Sequence, residues 1–470
     1  MTPPSENYIS GIDPSLPVDL ILVNSPLRSD YNVKPKADYE VLPPLGEAYL
    51  ASAAAREGHN VGIVDAEHHG LGVNQVAEIV NSHQVPRIVG INILTPARES
   101  ALKFAALIDP DLPLVIGGPH ATALPEKTLR EFVAIHERTF LMRGEAEISL
   151  VRLLNGDRPD QIPGLWRMKN GEILHDPENS LGQILTDIPP LSHKYLGNDP
   201  AIDAATGKSE TKILTSRGCP FDCTFCAGSR TSLNLPVRHH ALPVVLEELK
   251  AQFNTHGAMG IRFIDDLFIS SEKRARAILE GIEKEGLPLL YWDATGRANI
   301  LSRFSDTTFD FLKAHHAHEI AIGIESGSNR LRKKIKKQVT LDEIYKSLYQ
   351  LTSRGISVKG YFIVGLPSET KAETLQTFQL ATDLLHKGDS KFRASIFLFR
   401  PYPGTAEWQQ LIAQGYAVNQ LLAMHASGEG ERAKHSVTTD LQFAEFPPSQ
   451  LNEMIIKYQN RQSQFLGNRS

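Results

Sequence analysis

Short apolar runs alternate with amphipathic stretches along the first part of the chain. The run VDLILVNSP (18–26) is typical of a buried strand, and LGEAYLASAAAREG (45–58) has the spacing of a helix that ends on a glycine. Further strand-like runs follow at 60–66, 87–94, 113–118 and 138–144. Strand–helix units repeated in this way predict a doubly wound parallel sheet.

A second region repeats the alternation. The Asn-Gly pair in GLWRMKNGEILH (164–175) first predicts a hairpin, and LTDIPPLSHKYLGNDP (185–200) resembles a linker. Strand-like runs then follow at 211–216, 260–265, 289–294, 319–325, 358–365 and 392–400. Such units are too few to close an eight-stranded barrel, so we expect a partial, open barrel whose chemistry lies at the carboxyl ends of its strands.

These patterns predict an α/β protein with a defined domain organisation. We expect a doubly wound domain at 1–184, a linker at 185–205, a partial barrel at 206–408 and a small, mainly helical segment at 409–470. Within the last segment, HASGEGERAKHS (425–436) is typical of a loop.

Composition narrows the function classes. Hydrophobic residues make up 41% of the 470 positions and the net charge is -5, which favours neither a membrane span nor general binding to nucleic acid. The first residues lack the features of a secretory signal, so a cytoplasmic location with reduced thiols is expected. The one dense basic run, RLRKKIKKQ (330–338), is interpreted as a solvated helix face.

All three cysteines lie within RGCPFDCTFC (217–226), directly after the first strand of the second region. Cys219, Cys223 and Cys226 cannot pair completely as disulfides, because their number is odd. Three thiolates on a loop can bind a four-iron four-sulfur (4Fe–4S) cluster and leave one iron open to a small molecule.

Two other interpretations of the cysteines remain open. Zinc usually takes four ligands, and the nearest additional candidates are His239 and His240, 13 and 14 residues beyond Cys226. The cysteines could also be ordinary buried side chains.

The cysteine segment resembles the CxxxCxxC signature of the radical S-adenosylmethionine (radical SAM) superfamily. Four further segments resemble strand motifs of the subgroup with an N-terminal cobalamin-type domain: IRFIDDLFI (261–269), GIESGS (323–328), KGYFIVGLPSET (359–370) and RPYPGT (400–405). The resemblance runs from about residue 18 to about residue 410. It implies a partial (βα)6 radical SAM barrel in which the three cysteines hold a 4Fe–4S cluster and the open iron chelates S-adenosylmethionine (SAM).

The resemblance also implies which residues contact SAM. These are Phe225, Asp266, Glu325, Ser326, Gly327, Gly365 and Pro367. Arg297 could hold a carboxylate or substrate, or form a salt bridge at the barrel rim. Candidate substrate contacts at the barrel mouth are Tyr291, Trp292, Asp293, Arg297, Tyr361, Arg400 and Tyr402. No catalytic proton donor is assigned.

The first region resembles the Rossmann-like cobalamin-binding domain that precedes the barrel in many relatives. The matching pieces are PPLGEAYLA (43–51), VDAEHHGLG (64–72), GGPHAT (117–122) and RGEAE (143–147). The residues implied for cobalamin are Thr95, Gly117, Gly118, Pro119, His120 and Glu145.

One departure from that pattern matters. Proteins that ligate cobalt through histidine use DxHxxG, and here Glu67 occupies the position of the histidine two residues after Asp65. We therefore expect either cobalamin bound without a histidine ligand or a domain that kept its fold and lost the cofactor.

The resemblance implies a radical enzyme. An external donor of flavodoxin or ferredoxin type would reduce the cluster, and the resulting 5'-deoxyadenosyl radical would abstract hydrogen from a small molecule or natural-product precursor. Cobalamin would then supply a methyl group to carbon. The alternative is a radical enzyme with an empty cobalamin-type domain that catalyses dehydration (diol dehydratase type), epimerisation or another group transfer. A non-catalytic zinc or iron–sulfur module is a third possibility. No nucleic acid or membrane partner is expected.

Overall fold

The computed structural model describes residues 8–26, 43–82, 86–175, 182–196, 201–202, 207, 209–230, 235–425 and 441–467. The chain forms two compact units. The first comprises residues 1–209, 243–257 and 411–429, and the second comprises residues 210–242, 258–410 and 430–470. No helix in the described ranges is long and apolar enough to span a membrane.

The first unit is built on an eight-stranded sheet in the order β1-β3-β2-β4-β5-β6-β7-β8. Its strands are β1 (Ile9–Ser10), β2 (Leu20–Asn24), β3 (Val61–Asp65), β4 (Ile88–Asn92), β5 (Leu114–Gly117), β6 (Thr139–Met142), β7 (Leu165–Lys169) and β8 (Glu172–His175). The strands from β3 through β6 pair in parallel, and β1, β7 and β8 add antiparallel edges. The predicted doubly wound sheet is confirmed, and its order reverses between β2 and β4.

Helices cover this sheet, which explains why β2, β3 and β4 are buried at every position but the last. The helices of this unit are Leu45–Arg56, Ala66–His69, Val73–Ser82, Arg98–Ala105, Pro119–Ala123, Pro125–Val133, Glu147–Leu154, Leu242–His256 and Val418–Ala423. The predicted hairpin is present as β7 and β8, and Asn170 and Gly171 adopt the positive φ angles that such a turn needs.

The helix Leu242–His256 follows the cysteine segment in sequence but packs within the first unit. The buried Glu248 carboxylate accepts hydrogen bonds from the Tyr49 hydroxyl (3.1 Å) and from the Leu191 amide (2.9 Å). A charge this deeply buried is held by its hydrogen bonds.

The second unit contains the predicted partial barrel. Its sheet has the order β17-β16-β15-β14-β13-β10-β9, with parallel pairing from β10 to β17. The strands are β9 (Ala201–Ile202), β10 (Ser209–Ile213), β13 (Gly260–Phe263), β14 (Tyr291–Gly296), β15 (Ala317–Glu325), β16 (Ser357–Val364) and β17 (Phe392–Leu398). A separate two-stranded ribbon joins β11 (Ser216–Arg217) to β12 (Arg238–His239).

Helices alternate with these strands, as the sequence predicts. They are Glu272–Lys284, Ala298–Leu301, Asp306–Ala314, Asn329–Lys334, Leu341–Thr352, Lys371–Gly388, Ala406–Ala413 and Pro448–Gly467. Residues 426–436 of the predicted C-terminal loop lie outside the described ranges. The two helices on either side of that gap, Val418–Ala423 and Pro448–Gly467, agree with the mainly helical C-terminal segment.

Candidate functional site

The cysteine loop leaves the ribbon strand β11 at the carboxyl end of the partial barrel. Gly218 has a φ of +90°, a backbone conformation that other residues rarely adopt. The loop then turns on itself, since the Cys226 amide donates to the Cys223 carbonyl (3.2 Å) and the Ser229 amide donates to the Cys226 carbonyl (3.3 Å). None of the three cysteines forms a disulfide bond.

A second set of contacts fixes the middle of the loop. The Thr224 hydroxyl donates to the Glu407 carboxylate (2.7 Å), and the Glu407 amide donates to the Thr224 carbonyl (3.0 Å). The Thr224 amide donates to the Ile335 carbonyl (3.1 Å). Thr224, which lies between Cys223 and Cys226, is therefore held through its hydroxyl, its carbonyl and its amide. These contacts pre-organise the neighbouring thiols.

The electrostatics of the site disfavour a bare thiolate at two of the three cysteines. Burial raises the pKa of Cys219 and raises that of Cys226 to about 11, so these thiols ionise only if a cation compensates the charge. One such cation is Arg297, which is 4% exposed. It donates to the Cys223 sulfur (3.4 Å) and to the Lys337 carbonyl, and its guanidinium stacks 3.8 Å from the centre of the Phe221 ring.

The donor set of three soft thiols with a neighbouring cation fits a 4Fe–4S cluster. Across the described ranges, no three His, Cys, Asp or Glu side chains are arranged around a single metal ion. His240, one of the two possible additional zinc ligands, is buried, whereas His239 is exposed in the ribbon.

A cavity of about 650 Å³ lies in the second unit beside the cysteine loop. This volume is in the range of about 300–1,000 Å³ that is common for small-molecule sites. The lining is mainly apolar, and it consists of Phe225, Cys226, Ala227, Gly228, Glu325, Tyr361, Ile363, Ile396, Phe397, Leu398, Phe399, Arg400, Tyr402, Ile455 and Gln459. The cavity thus joins a cysteine with two predicted SAM residues and three predicted substrate contacts.

Glu325 occupies a strained position at the end of β15. Its φ is +68°, and the register between β15 and β16 shifts just before it. The carboxylate forms a buried ion pair with Lys337 (2.8 Å). A side chain at Gly323 would collide with the Glu325 carboxylate, so the first glycine of GIESGS makes room for this pair.

Ser326 and Gly327 act differently from Glu325, because they fix the turn that follows it. The fully buried Ser326 hydroxyl bonds the Thr377 hydroxyl (3.3 Å), and the Gly327 amide donates to the same oxygen (3.0 Å). A Cβ at Gly327 would collide with the Gln376 backbone. Neither residue is among those that line the cavity.

Three other predicted SAM residues also brace loops rather than line the cavity. The Gly218 amide donates to the Asp266 carboxylate. The Gly365 amide donates to Glu369 (2.6 Å), and the Pro367 carbonyl accepts from Lys334 (2.8 Å). The Asp266 carboxylate therefore fixes the start of the cysteine loop through Gly218. Gly365 and Pro367 shape the turn after β16.

The predicted substrate contacts divide into two groups. Tyr361, Arg400 and Tyr402 line the cavity. The β14 residues do not, since Trp292 is fully buried and donates to the His315 carbonyl (2.7 Å) and Asp293 pairs with His318 (2.9 Å). Packing within the protein therefore explains why β14 has an aromatic residue at Trp292 and an acidic residue at Asp293, and substrate binding is not needed to explain them.

The interpretation of the basic run 330–338 as a solvated face holds for Arg330, Lys333 and Lys336, which are exposed, but not for the other three cations of the run. Arg332 is 2% exposed and donates to the Ser326 carbonyl (2.7 Å), Lys334 donates to the Pro367 carbonyl, and Lys337 pairs with Glu325. Arg332, Lys334 and Lys337 therefore connect the turns around the cavity, because the backbone carbonyls and the Glu325 carboxylate that they contact need hydrogen-bond partners.

In the first unit, the predicted cobalamin residues lie at the carboxyl ends of β4, β5 and β6. The His120 ring bonds the Thr95 hydroxyl (3.2 Å), and burial lowers the pKa of His120 to about 4, so the ring is neutral. Its Nε2 atom is buried and has no hydrogen-bond partner in the described part of the chain. Thr95 lines a small cavity of about 190 Å³ together with Arg98 and Glu131.

The glycine pair before His120 is shaped by the strand beside it. Gly118 has a φ of +93°, and a Cβ there would collide with the Asn92 side chain and lie 2.9 Å from the Ile93 amide. Gly117 ends β5, and Pro119 begins the next short helix. Glu145 accepts a hydrogen bond from the Gln183 amide (2.7 Å) and so holds a neighbouring loop.

Sequence reasoning missed a polar cluster where the order of the first sheet reverses. Asn24, Asp65 and Asn92 are the last residues of β2, β3 and β4, and Asn24 donates to Asp65 (2.8 Å). Glu47 is 3% exposed, and burial raises its pKa to about 7. The Glu47 and Asn92 side chains hydrogen-bond each other, but the Glu47 Oε1 and Asn92 Oδ1 atoms have no hydrogen-bond partner of their own among the described residues. The recurring polar residue at each strand end was the signal available in the sequence.

Buried polar atoms without partners at the carboxyl edge of such a sheet fit a bound cofactor rich in hydrogen-bonding groups. The histidine next to the DxHxxG position does not supply a buried ligand. His68 and His69 lie in the short helix Ala66–His69 with exposed side chains, and the Asp65 carboxylate caps that helix through the His68 amide.

Comparisons with known proteins identify a family for a segment of each unit. Residues 213–381 match the Radical SAM superfamily, and residues 37–154 match the B12 binding domain. The chain is 35% identical to an uncharacterized methyltransferase of Pyrococcus horikoshii over 82% of this chain and 80% of that protein. It is 26% identical to the cytidylyl-2-hydroxyethylphosphonate methyltransferase of Streptomyces wedmorensis, over 79% and 78% of the two chains.

The fold also resembles a solved structure. The radical S-adenosylmethionine methyltransferase TsrM from Kitasatospora setae, with cobalamin and a [4Fe-4S] cluster bound, superposes with a TM-score of 0.67 at 18% identity. The match covers 85% of this chain and 78% of TsrM.

Proposed function

The chain belongs to the radical SAM superfamily, in the group whose members carry a B12-binding domain, and we propose that it transfers a methyl group to a carbon atom of a small molecule. Its cofactors are a 4Fe–4S cluster, SAM and cobalamin. The observation that carries the proposal is the single cavity lined by Cys226, Glu325 and Arg400, because it joins the cluster loop to a space large enough for small molecules.

The residues of the second unit have distinct tasks in this proposal. Cys219, Cys223 and Cys226 would hold the cluster, and Arg297 would balance its charge at the Cys223 sulfur. When bound, the cluster and SAM supply a 5'-deoxyadenosyl radical, and cobalamin supplies the methyl group. The mainly apolar lining would exclude water from the radical, and the ion pair of Glu325 with Lys337 would fix a polar group at the SAM end.

The first unit would hold cobalamin without a histidine ligand. Gly118 keeps its backbone close to Asn92, and the buried oxygens of Glu47 and Asn92 would meet the cofactor's polar groups. These buried oxygens favour a bound cofactor over an empty domain, because a cofactor would supply hydrogen-bond partners that the described residues do not. We also propose a flavodoxin- or ferredoxin-type electron donor.

The proposal is tested by cleavage of SAM. The protein is purified and reconstituted without oxygen, supplied with a reductant and SAM whose methyl group carries deuterium, and assayed for 5'-deoxyadenosine. We expect formation by the wild-type protein and none by Cys219→Ala, because that substitution removes a cluster ligand. Retained 5'-deoxyadenosine in Cys219→Ala contradicts the cluster assignment. Candidate acceptors are then screened by mass spectrometry for a gained trideuteromethyl group.

A further inference from the structure

The lining of the cavity in the second unit contains two chemically different groups of residues. The first group, called the first end, is the cysteine loop, Phe225 to Gly228, together with Glu325. The second group, called the second end, is Arg400 and Tyr402, which follow β17, together with Ile455 and Gln459 of the C-terminal helix. SAM held by the open iron would contact the first group, which leaves the second group for the substrate.

Arg400 is the charged side chain at that second end. Its side chain is half-buried, and within the part of the chain that the structure describes it has no hydrogen bond and no ion pair. Its charge acts on the neighbouring Tyr402, where it opposes the rise in the pKa of the phenol that burial causes. A guanidinium in mainly apolar surroundings gains most from a carboxylate or phosphate, which it can bind through two parallel hydrogen bonds.

The walls beside Arg400 are apolar and aromatic. The Tyr361 and Phe397 rings lie 5.8 Å apart, and Ile363, Ile396 and Ile455 complete the surface. Phe397 is 51% exposed although it belongs to a sheet strand. An exposed aromatic side chain in a cavity wall gains free energy when a flat apolar molecule covers it.

The C-terminal helix, Pro448–Gly467, holds this wall in place. Leu451 and Ile455 are buried on one face, and the buried Tyr458 stacks on Phe378 with ring centres 4.9 Å apart. One turn further on, the Gln462 amide donates to the Ala394 carbonyl of the edge strand β17 (3.2 Å). The helix therefore covers the open edge of the partial barrel and carries Ile455 to the cavity.

We propose that the second end of the cavity binds a substrate with a flat, apolar ring system and one anionic group, a carboxylate or a phosphate, that pairs with Arg400. The inference rests on the proposed function, because it takes the cluster end of the cavity to be filled by SAM. The inference restricts the methyl acceptor to amphiphilic ring compounds that carry a single anionic group.

A pair of probes that differ only in charge tests the proposal. 1-Pyrenebutyrate and its methyl ester are bound to the reconstituted holoenzyme with SAM and without reductant, and their affinities are measured by equilibrium dialysis. We expect the acid to bind roughly tenfold more tightly than the ester, as a charge-assisted pair requires. Arg400→Gln should abolish this preference, and Arg400→Lys should retain part of it.

Arg303→Gln is the matched control, because Arg303 is exposed and does not line the cavity. It should keep the preference of the wild-type protein. Equal affinities for acid and ester in the wild-type protein, no binding of the acid, or an unchanged preference in Arg400→Gln would each overturn the proposal. Iron and cobalt contents of the Arg400 variants, measured alongside, establish that the protein is intact.

The measurement needs neither reductant nor turnover, so it fails independently of the proposed function. Absence of 5'-deoxyadenosine formation by the wild-type protein contradicts the radical function. Loss of the acid preference alone contradicts only the substrate class.

Discussion

The two units present their candidate sites at the same place, the carboxyl ends of parallel strands, but the sites are built in different ways. In the second unit, the loop that carries the three cysteines contributes Cys226 to a cavity that the Glu325 carboxylate also lines. In the first unit, the strand ends bring together neutral or weakly charged polar groups such as Asn92, His120 and Glu47. The first kind of site binds by coordination, and the second kind by shape and hydrogen bonding.

This difference in how the two sites bind explains why the sequence predicted the cluster site more readily than the cobalamin site. Metal ligands must be particular residue types at short spacings, so Cys219, Cys223 and Cys226 are conspicuous in one segment. A cofactor held without a side-chain ligand needs only suitable shape and polar atoms from separate strands. The two units should therefore lose their cofactors independently, and the following predictions test that separation from the largest effect to the smallest.

Cys223→Ala should remove the cluster and leave cobalamin. Loss of one of three ligands should reduce the iron content close to zero and abolish 5'-deoxyadenosine, because a cluster held by two cysteines is not retained. The cobalt content should stay at the wild-type value, since Gly118 and Asn92 belong to the other unit. Metal analysis of the reconstituted protein checks both. Loss of cobalt together with iron would show that the two sites do not form separately.

Gly118→Ala should have the opposite pattern. Its positive φ and the collision with Asn92 should destabilise the first unit by roughly 3 kcal/mol or more and lower the cobalt content, while the iron content is unchanged. The measure is the free energy of unfolding of the full chain in urea.

Gly58→Ala is the matched control for Gly118→Ala. Gly58 has a φ of +90°, but nothing lies within 4 Å of an added Cβ. It should cost only about 1 kcal/mol, the cost of the backbone conformation alone, and should leave cobalt bound. Equal losses of unfolding free energy in Gly118→Ala and Gly58→Ala would contradict the close contact between Gly118 and the Asn92 side chain.

Glu47→Gln should change how stability depends on pH. The pKa of Glu47 is about 7 in the folded protein against an ordinary value of 4.5, so its favourable contribution is complete below pH 4.5 and is lost as the pH rises through 7. The wild-type helix Leu45–Arg56 should lose up to about 3 kcal/mol of protection between pH 5 and pH 8, and the glutamine variant should lose much less.

Native-state hydrogen exchange of that helix measures the effect. Glu57→Gln serves as the control, because Glu57 is exposed just beyond the helix and should leave the pH dependence unchanged. If Glu47→Gln has the same pH profile as the wild-type protein, the Glu47 carboxyl is ionised in the folded state and does not act as a buried neutral acid.

Arg297→Met should shift the reduction potential of the cluster. A cation that donates to the Cys223 sulfur favours the more negative, reduced cluster, so its removal should lower the potential. A tenfold change in the one-electron equilibrium corresponds to a decrease of about 59 mV. Redox titration followed by electron paramagnetic resonance measures the shift, and Arg297→Lys should restore part of it. An unchanged potential with a full iron content would mean that Arg297 only packs against Phe221.

Sequence reasoning identified most strands and the cysteine loop, because periodicity and residue type are local properties. It failed where a residue's partner lies on another element. The buried part of the basic run was not predicted for this reason. Lys337 pairs with Glu325 only because β15 has an irregular register there, and Arg332 donates to a carbonyl of the turn after that strand. Arg297 was assigned to a carboxylate or a rim salt bridge, and its sulfur contact depends on how the loop after β14 approaches the cysteine loop.

The central claim is that one chain holds both a 4Fe–4S cluster and cobalamin, and the metal content tests it most directly. The protein is purified and reconstituted without oxygen with iron, sulfide and hydroxocobalamin, desalted, and analysed for iron and cobalt together with its ultraviolet–visible spectrum. The account predicts about four irons and about one cobalt per chain. Four irons without retained cobalt would contradict it and return the first unit to the interpretation of an empty domain.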